Sequence, residues 1–393
     1  MSRLLCPYCF ESYPAAKLAF RCVNPDPTRC PPEEDKLLAG YERLRSGRLL
    51  SRVFSPPRPL WGIATVATCS CGAKTTKRVC PSCHNELPHE LGLSQSCSVA
   101  LVGAKEVGKS HYIAVLIHQL RNRISDRFAA SFAALDEQTR RRYSQDFESY
   151  VFARRIVIPG TVSARAQIGV KRPLIYRLSL EQRGLLTYQQ RATNLVFFDT
   201  AGEDLSHIDT MATETRYVAQ SQGIIFLLDP LQIPAVRDRL SATVALPSGS
   251  THPLEIVERV VQLIRGFRGL GANQKIDTPV ALAFSKIDAV HSLIDPGSPI
   301  HRAANHDGYF DLNDAEELSE SMRAHVAKWV GPGFDAAIRH NFKNPWYFGL
   351  SALGASPDPQ GRLPAGATPF RVEDPLLWIL RQRGIIPARR MRR

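Results

Sequence analysis

Cysteine is missing from most of this chain. Of 393 residues nine are cysteine, eight of them lie within residues 1–83, and the ninth is Cys97. Residues 98–393 therefore contain no possible disulfide or thiolate metal site. Long apolar runs are missing as well. None approaches the roughly 20 residues needed to span a bilayer. No apolar stretch precedes the first cysteine as a secretory leader would require, so a cytoplasmic protein without a membrane span is expected. General disorder is excluded, because 44% of the residues are hydrophobic and only 22% charged. Aromatic interleaving is absent around the basic residues Lys74, Lys77 and Arg78, which weakens a single-strand nucleic-acid platform there.

What is abundant is positive charge, +13 formally. Eight cysteines bound as thiolates to two zinc ions would lower that to roughly +9. The rest is dispersed, apart from the terminal Arg389-Arg390-Met391-Arg392-Arg393, which reads as a solvated basic end. The chain length suggests two or three domains at about 150 residues each. Composition divides it into a cysteine- and proline-rich module over residues 1–95, a longer body over 96–385 and a basic tail over 386–393.

In the body, short β-rich runs alternate with helical patterns, the mark of an α/β fold. Strands are expected at 98–102, 172–180, 194–198, 223–228, 280–284 and 346–350, the second and third as a hairpin. Helices are expected after residue 109, over 132–155, and at 255–267, 315–330 and 375–383.

Between the first strand and first helix runs Gly103-Ala104-Lys105-Glu106-Val107-Gly108-Lys109-Ser110, with His111 following. This fits G-x-x-x-x-G-K-S in the strand–turn–helix context that the motif needs. Glycines let backbone N–H groups curl around a β-phosphate, and the helix N-terminus adds positive potential. Lys109 would bridge the β- and γ-phosphates and Ser110 would ligate Mg²⁺.

Three further motifs stand at the C-terminal ends of later strands, where ligands bind in open α/β sheets. Asp199-Thr200-Ala201-Gly202-Glu203 offers an Asp for Mg²⁺ and a Gly N–H for the γ-phosphate. Ser285-Lys286-Ile287-Asp288 offers a carboxylate that can accept from guanine N1–H and the 2-amino group, a pair adenine lacks. Lys286 would lie along the base, and Ser351-Ala352-Leu353 could supply an N–H to guanine O6. In their order these motifs resemble the signature set of TRAFAC-class GTPases, from residue 98 to about 383. The resemblance implies a mostly parallel six-stranded sheet flanked by helices, with insertions near 126–158, 231–277 and 289–344.

Three positions depart from that pattern. Ser285 replaces the usual Asn but can still bond to the phosphate-loop backbone. Glu203 stands where Ras-like enzymes place a water-orienting Gln, which puts turnover in question. Lys105 stands where small GTPases often carry Gly. The Mg²⁺-binding threonine is placed at Thr161, and Arg154, Arg155, Arg165 and Arg172 surround it as candidate in-cis arginine fingers.

The eight early cysteines form Cys6-x-x-Cys9, Cys22, Cys30, then Cys69-x-Cys71 and Cys80-x-x-Cys83. Short knuckles of this kind grip tetrahedral Zn²⁺. Two four-thiolate sites follow. The simplest assignment is sequential (6, 9, 22, 30 and 69, 71, 80, 83), and a crossed pairing of 6 and 9 with 80 and 83 stays open. His84 reads as a neighbour rather than a ligand, and Cys97 as a core thiol. A cysteine-rich N-terminus before an expanded GTPase body resembles the bacterial double-GTPase 2 proteins. That resemblance implies a GTP/GDP- and Mg²⁺-dependent switch that regulates protein partners in a signalling or conflict system. The alternatives are a GTP-sensing pseudoenzyme and a zinc-ribbon nucleic-acid binder gated by GTP.

Overall fold

The runs Gly223–Leu228 and Val280–Phe284 are apolar at almost every position and buried at every one. Such strands fit only the middle of a sheet covered on both faces. A computed structural model shows that sheet, and describes residues 3–57, 62–92, 94–160, 172–183, 188–198, 211–240, 246–247 and 252–390.

Among the described residues seven strands build it: β1 (Gln95–Val102), β2 (Ala130–Ala134), β3 (Leu174–Arg183), β4 (Tyr188–Phe197), β5 (Gly223–Leu228), β6 (Val280–Phe284) and β7 (Pro345–Gly349), in the order β2-β3-β4-β1-β5-β6-β7. The β4–β1–β5–β6–β7 pairings are all parallel. β3 alone runs against the rest, hairpinned to β4 and bordered by β2.

The expected six strands are thus seven. The extra one, β2, falls where the sequence predicts the start of a helix. Its pattern is short and alanine-rich, and its one large apolar residue, Phe132, stacks on Tyr176 of β3 at 4.6 Å. The helix begins instead at Glu137, where Asp136 caps it by accepting from Thr139 N–H at 2.6 Å.

Helix α1 (Lys109–Gln119) follows β1, and α2 (Glu137–Tyr143) continues in wider π turns to Arg154. The Tyr143 hydroxyl of α2 donates to Ala114 O of α1 at 2.9 Å. Helices α3 (Met211–Gln220) and α4 (Pro253–Arg268) meet where Arg268 donates to Ala219 O. Helices α5 (Leu312–Val330) and α6 (Pro332–Asn341) cover one face of the sheet, with Trp329 on Phe284 and Phe342 on Phe226.

Helix α7 (Asp374–Gln382) covers the other face. Its fully buried Trp378 lies 5.8 Å from Trp346 and 6.0 Å from Phe348. A Cβ on Gly223 would stand 2.4 Å from Ile379, so that glycine permits the close approach of α7. Arg371, buried just before α7, donates to Asp374 and Asp314 and ties α7 to α5. Near the C-terminus, Ala388–Arg389 pairs with Phe310–Asp311, so the basic end is held against the body at least to Arg390.

The N-terminal region is built from two- and three-residue strands. Ala19–Arg21 lies between Val53–Phe54 and Arg78–Val79, and two hairpins present cysteine knuckles. Asp35 knits it together: its carboxylate caps the helix Lys36–Glu42 through Leu38 N–H, accepts from Arg21 at 2.6 Å and meets His84 Nδ1 at 2.8 Å. Leu4, Phe10, Tyr13, Phe20 and Leu91 belong to the same continuous core as the sheet. No described helix is long and apolar enough to cross a membrane.

Candidate nucleotide cleft and cysteine sites

The loop after β1 has its shape fixed by backbone geometry. A Cβ on Gly103 would stand 2.5 Å from Leu227 O and 2.8 Å from Val107 Cγ2, so no larger residue fits. Glu106 and Gly108 take positive φ of 66° and 90°. The space beside Gly108 is open for 4 Å, and this is where the loop faces the cleft. Lys109 is buried, and its Nζ donates to Gly103 O at 2.8 Å and Ala104 O at 2.9 Å, spanning the loop. Lys105 O accepts from the buried Gln232 amide at 2.9 Å. Ser110 occupies the first turn of α1 beside Lys109.

The second wall comes from the end of β6. Ser285 Oγ lies 3.1 Å from Val107 O and 3.1 Å from Leu228 O, and its hydroxyl links the base-side segment to the phosphate loop. Lys286 takes a left-handed φ of 51°. Its Nζ donates to Glu106 O at 3.0 Å and to Asp229 Oδ2 at 2.5 Å. Asp229 is a residue that sequence reasoning missed. It ends the buried strand β5, its carboxylate accepts from Leu231 N–H at 2.9 Å, and burial pushes its pKa up while Lys286 opposes the shift. A signal was present, an Asp closing an apolar parallel strand, but its partner lies 57 residues away.

Asp288 lines a cleft of about 300 Å³ together with Gly108, His111, Lys286, Ala352 and Leu353. Its Oδ1 is buried and has no hydrogen-bond partner among the described residues. A buried acceptor left so costs on the order of 1–3 kcal/mol. It fits a ligand that brings a donor.

Ser351 departs from expectation. Its N–H is taken by Phe370 O at 2.9 Å in a two-way bridge, and its Oγ accepts from Gly354 N–H at 2.8 Å. The residue braces the loop and cannot give its amide to a base, while Ala352 and Leu353 remain on the cleft wall. His111, counted among the phosphate-loop positions, does something else. Its Nε2 accepts from Ile158 N–H at 2.9 Å, and burial, with Lys286 nearby, holds its pKa down to about 4. It anchors the segment leading toward Thr161.

Thr161, Arg165, Asp199, Gly202 and Glu203 lie outside the described residues. Of the other candidate arginine fingers, Arg154 lies over the Tyr150 ring at 5.1 Å. Arg172 is paired with Glu42 of the N-terminal region at 3.0 Å and with Gln138, and Arg155 O accepts from Leu363 N–H.

The cysteines settle into the crossed arrangement, which corrects the sequential one. Cys6, Cys9, Cys80 and Cys83 converge in one site, and Cys22, Cys30, Cys69 and Cys71 in another. Antiparallel pairing of Ala19–Arg21 with Arg78–Val79 joins the early and late parts of the module, and the first and last knuckles meet in one site. The sulfurs stand 3.8 Å apart across Cys6–Cys83 and Cys9–Cys80, 3.6 Å across Cys22–Cys71 and 3.9 Å across Cys30–Cys69. Tetrahedral Zn–S bonds of about 2.3 Å place sulfurs about 3.8 Å apart, whereas a disulfide needs about 2.05 Å. The eight thiols therefore fit two zinc ions.

His84 faces Asp35 and is not among the converging ligands. Cys97 is a buried core thiol whose pKa burial pushes up to about 12. Arg78, which the nucleic-acid alternative would group with Lys74 and Lys77, is buried and donates to Pro88 O and His89 O. That leaves no three-residue basic patch.

The Double-GTPase 2 family profile matches residues 97–330, well over half of the chain. The chain belongs to the Double-GTPase 2 family. This fits the phosphate loop, the mostly parallel sheet and the double zinc-ribbon module that precedes it. A relative from Mycolicibacterium smegmatis, named for ESX-1 scaffolding and assembly as SaeC, is 28% identical over 329 residues, covering 78% of this chain and 80% of its own. Among solved structures, a chain of the signal recognition particle receptor SRb-GTP/SRX complex from Chaetomium thermophilum is matched with 14% identity over 66% of this chain and 93% of its own. The TM-score there is 0.29.

Proposed function

We propose that this Double-GTPase 2 protein binds GTP and GDP with Mg²⁺ in the cleft between the phosphate loop and Asp288, hydrolyses GTP slowly, and uses the two states to regulate protein partners. The observation that carries the reading is the buried, unsatisfied Asp288 Oδ1 in the same cleft as the open face of Gly108. Guanine N1–H and the 2-amino group supply the donors that this carboxylate needs, and adenine does not. Lys286 and Ser285 hold the base segment against the phosphate loop, so base and phosphates are registered to each other. The N–H groups of Ala352 and Leu353, rather than that of Ser351, are assigned to guanine O6.

On the phosphate side, the loop N–H groups and Lys109 neutralise charge that grows toward transfer of the γ-phosphoryl group. Ser110, Thr161 and Asp199 are assigned to Mg²⁺, and Gly202 and Glu203 to the γ-phosphate and the attacking water. Zinc at the cysteine sites is structural, and the proposed units are residues 1–95, 96–385 and 386–393. The name of the mycobacterial relative supports a scaffolding or assembly setting for the protein partners.

Single-turnover hydrolysis tests this reading, with GTP and ATP compared under excess Mg²⁺. Slow phosphate release from GTP alone, lost in Lys109→Ala, is the expected result. Tight GTP binding with no release would assign the chain to the sensing class instead.

A further inference from the structure

The first zinc site is built into the roots of the segments that would contact the γ-phosphate and Mg²⁺. Cys6 O accepts from Phe10 N–H at 3.1 Å and Cys6 N–H donates to Glu11 O at 3.0 Å, which closes the knuckle. Phe10 takes a left-handed φ of 54°, a backbone state the tight turn imposes on a non-glycine residue. That turn aims its fully buried ring out of the cysteine region. The ring packs 5.7 Å from Phe198 and 4.9 Å from Tyr217, and these two lie 5.2 Å from each other.

Phe198 immediately precedes Asp199. Tyr217 belongs to α3, the helix that follows the Asp199–Glu203 stretch. Its hydroxyl donates to Val99 O at 2.6 Å and accepts from Leu101 N–H at 3.2 Å, which fastens it to the strand feeding the phosphate loop. Next to Phe10, Glu11 pairs with Arg216 of α3 at 3.1 Å.

The other side of the same region reaches the second root. Tyr8, inside the Cys6–Cys9 knuckle, packs edge-on to Tyr41, and the adjacent Glu42 pairs with Arg172, just after the stretch holding Thr161. The second cysteine site differs. Cys22, Cys30 and Cys69 form a small cluster of their own with Phe54, Cys71 and Ala73.

We propose that the Cys6/Cys9/Cys80/Cys83 site is coupled to the nucleotide cleft, with Phe10 as the positioning residue. Thiolates on one ion fix the knuckle turn, the turn fixes Phe10, and Phe10 holds Phe198 and Tyr217. A γ-phosphate that draws on Asp199 and Gly202 strains or relieves the same contact. Coupling of this kind is reciprocal, so nucleotide state alters the hold on the metal at the first site and leaves the second unchanged. This inference rests on the proposed nucleotide reading.

The test uses the full, zinc-loaded chain with GDP or with a non-hydrolysable GTP analogue, in excess Mg²⁺ and a zinc-selective chelator. Alkylation by N-ethylmaleimide is followed by peptide mass spectrometry, so each cysteine is timed separately. The expected result is a threefold or larger difference between the two nucleotide states at Cys6, Cys9, Cys80 and Cys83, with none at Cys22, Cys30, Cys69 and Cys71. Phe10→Leu should abolish the difference while both nucleotides still bind by calorimetry. Arg216→Gln, at a half-exposed pair, should reduce it without a risk to folding.

Equal rates at the first site in both states, with both nucleotides bound, overturn the coupling and leave the nucleotide reading intact. A difference that survives both variants overturns the role of Phe10 and its neighbours. No nucleotide binding at all overturns both proposals.

Discussion

The candidate nucleotide cleft and the cysteine module both set their ligating groups on tight turns, but the chain holds those turns in opposite ways. The cleft is held by contacts of the chain with itself. Lys109 spans two loop carbonyls, Ser285 meets Val107 O, and Gln232 holds Lys105 O. The cysteine module has strands of two or three residues and gathers four sulfurs at each site, with cross-knuckle pairs 3.6–3.9 Å apart. As thiolates these would repel one another without a cation between them. A nucleotide would therefore occupy a site the chain already holds together, whereas metal would be part of the fold of the module that holds it.

The largest effect that sharpens this contrast is loss of a thiolate from the first site. Cys80→Ser should release its metal and remove cooperative unfolding, because that site lies inside the core shared with the sheet. Cys69→Ser should leave the main transition within a few degrees. Thermal melts with zinc quantitation check both, and equal losses would break the distinction between the sites.

Next is Lys109→Ala, expected to weaken nucleotide binding about 100-fold, since a charge-assisted contact worth about 3 kcal/mol is removed. Its circular dichroism should stay unchanged. Unfolding of that variant would show that the cleft does not stand alone.

Gly103→Ala and Gly108→Ala then separate loop packing from ligand space. The first meets backbone at 2.5 Å and should lower stability by about 1–3 kcal/mol. The second meets nothing within 4 Å, so its cost is confined to about 1 kcal/mol of backbone strain, with a larger loss in nucleotide affinity. Chemical denaturation paired with binding curves reads both.

The smallest effect is a pH dependence at His111. Its pKa is held down to about 4 against an ordinary 6.5. The neutral ring contributes stability fully above about 6.5, and that contribution is lost as pH falls from there toward 4. His111→Gln should flatten the stability profile in that window, and an unchanged slope would remove the histidine from the account.

The legible parts of the chain were those whose physics is local. The phosphate loop, its strand and its helix follow from eight adjacent residues, and the buried strands Gly223–Leu228 and Val280–Phe284 announce themselves by composition. What escaped depends on pairing across the chain. The cysteine partners are separated by up to 77 residues, so their grouping is set by the tertiary fold and not by local spacing. Asp229 takes its role from Lys286, and Ser351 loses its amide to Phe370, both tertiary events. β2 escaped because one phenylalanine among alanines and serine carries little period.

The most direct measurement of the central claim is calorimetry of GTP, GDP and ATP with Mg²⁺ on the wild type and on Asp288→Asn. GTP and GDP are expected to bind, ATP at least about 10- to 100-fold more weakly, and the variant to lose that preference at a cost of about 1.5–3 kcal/mol. Equal affinity for ATP and GTP in the wild type, or an unchanged preference in Asp288→Asn, would contradict it.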